Sequence, residues 1–136
     1  MVKYESLSHT ADAKFRAYGK TREEQFSNAA LAMFAIMIDS EKVEAKVERT
    51  VSVEGDDEKA LLYNWLEELL VLLDSEFFML REVKDLRITK NEKFKLEATV
   101  VGDAEEGKYV VSGGVKAPTY AEMTITDEFV QVVVDI

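Results

Sequence analysis

The chain has 136 residues, 47% of them hydrophobic, with 17 basic against 27 acidic side chains and a formal net charge of −10. That length suits one domain with its own core, and the surplus of acid disfavours direct nucleic-acid binding, because phosphate contacts need clustered Lys and Arg. Cysteine is absent and His9 is the only histidine, which excludes disulfides, thiolate metal centres and cysteine nucleophiles, and leaves any metal to hard oxygen ligands, as Ca2+, Mg2+ or Mn2+ prefer.

No apolar run approaches the roughly 18 residues of a membrane span. Residues 1–5 lack the apolar stretch of a signal peptide. The expectation is a cytoplasmic protein, with which the absence of cysteine agrees.

Residues 2–7 and 13–18 read as two short strands, separated by the polar run Ser8-His9-Thr10-Ala11-Asp12 and followed by a turn at Gly19-Lys20. The polar run is rich in groups that bond backbone amides, so by itself it is a turn or a bulge. Thr21 and Glu24 form a capping box that starts a helix. Phe26, Ala29, Ala30, Met33, Phe34 and Met37 recur at spacings of three and four and form its buried stripe. This helix is expected to stop near Asp39-Ser40. Residues 43–54 read as a long strand with Ala45, Val47, Val51 and Val53 on one face.

The pair Asp56-Asp57 precedes a second helix over residues 58–73, where an acidic cap suits the positive helix end. Its apolar face carries Leu61, Leu62, Leu66, Leu69, Leu72 and Leu73, with Trp65 as the expected core anchor. The run Phe77-Phe78-Met79-Leu80 has no clear type. Residues 83–89 and 93–101 read as a hairpin, and the second is the clearest alternation in the chain: Phe94, Leu96, Ala98 and Val100 against Lys93, Lys95, Glu97 and Thr99. Residues 102–107 read as an acidic, mobile loop. Residues 115–126 are β-rich but interrupted by Pro118, which predicts an edge or a bulge. Residues 129–136 form the last strand. The sum is an α+β fold, with two amphipathic helices packed on mostly antiparallel β-structure in a single two-layer domain spanning residues 1–136.

Few constellations carry chemistry. No phosphate-cradling loop is present, because Gly113-Gly114 lacks both the Lys-Ser/Thr pair and a following helix. A Ser8-His9-Asp12 hydrolytic set fails on geometry, since neighbours on an extended segment point to opposite faces. An oxygen-ligand cation site is the better candidate. Asp12 sits in the polar break, Asp135 near the end of the last strand, and Ile136 carries the terminal carboxylate. Clustered carboxylates are ionised at neutral pH and repel, and a divalent ion relieves that. Asp39 is a possible further oxygen, with a local role where the first helix stops as the plainer reading.

Taken together, Ser8-His9-Thr10-Ala11-Asp12, Gly19-Lys20-Thr21 with Glu23-Glu24 and Phe26, the run from Asn28 to Phe34, Leu61-Leu62 to Leu70, Val115-Lys116-Ala117 with Thr119-Tyr120, and Asp135-Ile136 resemble the archease family in the family's own order. The resemblance implies a small cytosolic protein that activates the RNA-splicing ligase RtcB by promoting its guanylylation and multiple turnover, with no ligase chemistry of its own. It further implies a bound divalent cation, Ca2+ in the family picture, held by residues that map onto Asp12, Asp135 and Ile136. In two places the chain departs from the family. Ala121 stands where His is usual, and Pro118 replaces a β-branched residue. The rival readings are a metal-independent, chaperone-like adaptor for RNA-modifying enzymes, and a metal-dependent hydrolase built on Asp12 and Asp135.

Overall fold

The structure, a computed structural model, describes residues 2–9, 12–111 and 113–136, with Ser8 and His9 described by their backbone alone. Among these residues the elements run β1 (Tyr4–His9), β2 (Asp12–Tyr18), α1 (Arg22–Ala35), β3 (Val47–Gly55), α2 (Glu58–Glu76), β4 (Met79–Lys90), β5 (Phe94–Asp103), β6 (Ala117–Pro118), β7 (Thr124–Ile125) and β8 (Phe129–Asp135). The fold is α+β, and every strand pair is antiparallel.

The strands divide between two sheets. One has the order β1-β2-β8-β6, with β7 also pairing β8, and the other has the order β3-β5-β4. β8 is central in the first. Val130, Val132 and Val134 are fully buried on its core face, and Gln131 and Val133 are buried on the other. A strand covered on both sides reads as a near-continuous apolar run, which is how residues 129–134 look in sequence. In the second sheet β5 is central and turns Leu96, Ala98 and Val100 inward. α1 lies against β2 and β4, and α2 lies against β3.

Both helices begin as their sequences predict. The Thr21 hydroxyl accepts the Glu24 amide at 3.1 Å, and the Glu24 carboxylate reaches back to the Lys20 amide at 2.9 Å, one residue before the cap. Asp57 accepts the Ala60 amide at 2.8 Å. The anticipated stripe of α1 is buried, and Trp65 is fully enclosed, its indole N–H donating to the Phe26 carbonyl at 2.9 Å. That bond ties the two helices together inside the core.

Several boundaries differ from the sequence reading. α1 ends at Ala35 rather than near Asp39, with its last turn tightened by an Ile36 amide bond to the Met33 carbonyl. Asp39 instead caps a separate 3-10 turn, accepting the Glu41 amide at 3.0 Å. β4 begins at Met79, because Phe77 turns the chain in a left-handed conformation (φ 59°) and Phe78 and Leu80 drop into the core. Asp103 does not belong to a mobile acidic loop. It ends β5 and is almost wholly buried. Gly102 beside it permits a close approach, since a Cβ there would overlap the Met79 carbonyl oxygen. Pro118 sits in β6, which pairs only with β8, the edge position its missing N–H requires.

Candidate functional site

The first strands and the last meet in one register. β2 pairs with β8 from Tyr18 opposite Phe129 to Asp12 opposite Asp135. What sets that register is the core face: Phe15 and Ala17 of β2 lie opposite Val132 and Val130, and all four are buried. A slip of one residue would turn every one of them to the other face. The same constraint places Asp12 directly across from Asp135 on the outer face, shared with Lys14 and Arg16. The chain brings these two sequence-distant carboxylates to adjacent strands because its hydrophobic residues demand it.

Directly opposed residues have Cβ atoms about 4.5–5.5 Å apart, and like charges placed so are destabilising. Among the described residues neither carboxylate has an ion-pair or hydrogen-bond partner. Lys14, two residues along the same face, is taken by Glu122 at 3.2 Å. Backbone bonds hold the site firmly from the other side. Ala117 of β6 is the register partner of Asp135, and the Lys116 amide donates to the Asp135 carbonyl at 2.8 Å. Asp135 is exposed, as is Ile136 at 43%, so the oxygens face solvent at the end of the sheet.

This donor set is all oxygen. It fits a hard divalent ion, which takes carboxylate and main-chain oxygens at about 2.3–2.6 Å and completes its shell with water. Asp12, Asp135 and the main chain at Ile136 would supply only part of such a shell. Among the described residues no group of three or more His, Cys, Asp or Glu side chains gathers as a metal cage. The arrangement is therefore an open corner rather than an enclosed site. β1 has a register irregularity between Ser6 and His9, where the polar run begins. Thr10 and Ala11, and the side chains of Ser8 and His9, lie outside the described residues, so the hydrolytic set named from sequence is not located. Asp39 plays its local capping part.

Two polar clusters escaped the sequence reading. Lys108 bridges Asp103 at 2.6 Å and Glu44 at 2.8 Å, while the Tyr109 hydroxyl donates to Asp103 at 2.8 Å and accepts the Glu44 amide at 3.0 Å. The Lys108 hydrogen bond, then that of Tyr109, hold the Asp103 carboxyl below its ordinary range. The Lys108 ammonium is pushed well above its own by Asp103 and then Glu44. The acid-to-base spacing of five residues was the only local hint. In the second cluster the rings of Tyr63 and Tyr120 stack at 4.6 Å between centroids and 7° between planes. No local pattern joins residues so far apart.

The comparisons with known proteins agree over nearly the whole chain. The model of the archease protein family (MTH1598/TM1083) matches residues 4–136. The protein archease of Thermococcus kodakarensis is 46% identical over 127 residues, covering 92% of this chain and 89% of the relative. That of Methanosarcina barkeri is 41% identical over 139 residues, covering 98% and 95%. The solution structure of Methanobacterium thermoautotrophicum protein 1598 superimposes with a TM-score of 0.82 at 37% identity, covering 98% of this chain and 99% of that one.

Proposed function

The chain belongs to the archease family, and from that premise we propose that it is an accessory protein of the RNA-splicing ligase RtcB, promoting the ligase's guanylylation and multiple turnover through a divalent cation, Ca2+, at Asp12, Asp135 and Ile136. The observation that carries this reading is the cross-strand pairing of Asp12 with Asp135, two carboxylates facing each other with no partner among the described residues. A cation removes their repulsion and leaves open coordination positions at a solvent-facing corner, where a second protein can reach it.

The rest of the molecule suits docking rather than catalysis. An excess of ten negative charges steers the domain toward a basic, RNA-binding partner and makes encounter sensitive to salt. Direct RNA binding is not part of the reading, for the same electrostatic reason. No helix among the described residues is long and apolar enough to cross a membrane, and the site of action is taken to be the cytoplasm.

A multiple-turnover ligation assay with the cognate ligase and GTP tests the proposal. Added protein should raise turnover and GTP use, and Asp12→Asn or Asp135→Asn should abolish the gain. No gain from the unmodified protein would refute the activator reading. A full gain that persists with both variants and with chelator would favour the metal-independent adaptor. Phosphatase or nuclease turnover by the isolated protein would favour the hydrolase.

A further inference from the structure

Tyr120 is the most exposed aromatic side chain among the described residues, at 54%, and it is not loosely held. The Thr119 amide and hydroxyl both donate to the Val133 carbonyl, at 3.0 and 2.8 Å. The turn that follows is closed by the Met123 amide bonding to the Tyr120 carbonyl at 3.2 Å, with Glu122 in a left-handed conformation (φ 51°). Tyr63 of α2, itself half-buried, covers one face of the Tyr120 ring. Tyr120 otherwise stays more than half exposed, on a backbone ordered by these bonds. An aromatic plane fixed in this way has already lost the freedom that binding would otherwise remove.

The surroundings select the occupant. Asp57 and Glu67 lie near enough to raise the Tyr120 phenol, after burial and Tyr63, and both are exposed. Glu67 is one helical turn from Tyr63 on the same face of α2. A nucleobase could stack on the ring, but its phosphates would meet these carboxylates. A guanidinium meets the π face and the negative field together, which is why Arg is the common partner of exposed aromatic planes. From this geometry we infer that the exposed side chain of Tyr120 is a docking point for an arginine side chain of the protein's basic partner. The inference rests on the ligase reading above and deepens it by naming a second point of attachment. Tyr120 is three residues from Ala117, the register partner of Asp135. Tyr120 thus follows directly on the strand that pairs with β8 beside Asp135.

The test is the affinity of the Ca2+-loaded full chain for the cognate ligase, measured by calorimetry for the unmodified protein, Tyr120→Phe and Tyr120→Ala. Tyr120→Phe keeps the face and should bind within about twofold. Tyr120→Ala should bind about tenfold more weakly, between the scale of an exposed and that of a desolvated cation–π contact. Its Ca2+ affinity and melting temperature should stay close to those of the unmodified protein, which separates a lost contact from a lost fold. If the unmodified protein binds and Tyr120→Ala binds equally well, the docking assignment falls while the ligase reading stands. If the unmodified protein does not bind the ligase, the ligase reading itself falls and takes this inference with it. Binding of a single-stranded RNA oligonucleotide that Tyr120→Ala abolishes would overturn the arginine assignment in favour of a base.

Discussion

Replacing Asp12 by Asn separates two effects that have opposite signs. The substitution keeps the shape of the side chain and removes one of two facing charges. At about 5 Å and the dielectric of bulk water two unit charges repel by about 0.8 kcal/mol, and somewhat more beside a protein surface. Without metal the variant should therefore be more stable, by about 1 kcal/mol. An unfolding entropy of about 2.1 cal/mol/K per residue, over a chain of this length, converts that into a melting temperature about 3 °C higher. With Ca2+ the order reverses. At a concentration one hundred times the dissociation constant, binding adds about 2.7 kcal/mol to the unmodified protein, or about 9 °C. The variant, with a ligand oxygen lost and a weaker site, should gain no more than about 2 °C at the same concentration. The assay is a pair of thermal melts for each protein, one in chelator and one in Ca2+, at low ionic strength. A variant that melts at or below the unmodified protein in chelator would show that the carboxylates do not repel. A full Ca2+ shift in the variant would place the ion elsewhere.

Two further outcomes test the supporting structure. The Asp103 carboxyl titrates below its ordinary range when folded, so its stabilisation is complete above the unfolded value of about 3.9 and is lost as pH falls through the lower folded value. Urea unfolding followed from pH 6 to pH 2 should show Asp103→Asn less stable at pH 6 and less steeply destabilised below pH 4, and parallel curves would argue against a structural role for the Lys108 bridge. Gly102→Ala should cost about 1–3 kcal/mol, because the added methyl forces apart backbones that now touch at Met79, and a change under half of the lower figure would mean that the approach is not tight.

Much of the local architecture was legible from neighbouring residues. The three-and-four spacing of Phe26, Ala30, Met33 and Phe34, the cap residues Thr21 and Asp57, and the alternation from Phe94 to Val100 each state their own conformation, because helix and strand periodicity is a short-range property. The places where local reading failed share a cause. Asp103 looked like part of a mobile loop because Glu44, which shares Lys108 and Tyr109 with it, is brought there by the fold rather than by the residues beside it. Nothing near Phe77 announces that it will turn the chain and send Phe78 and Leu80 inward.

Of the candidate site, charge and family resemblance named Asp12, Asp135 and Ile136 without placing them. The sequence by itself determined the α+β class, both helices and their buried faces, and an oxygen-only repertoire for any metal, since these follow from composition and from contacts within a few residues. Only the tertiary structure decided that the strands form two sheets, that β8 lies between β2 and β6, that Asp12 faces Asp135, and that Tyr63 backs Tyr120. Those facts depend on which distant strands bury their apolar faces against each other, and that choice is made by the whole core at once.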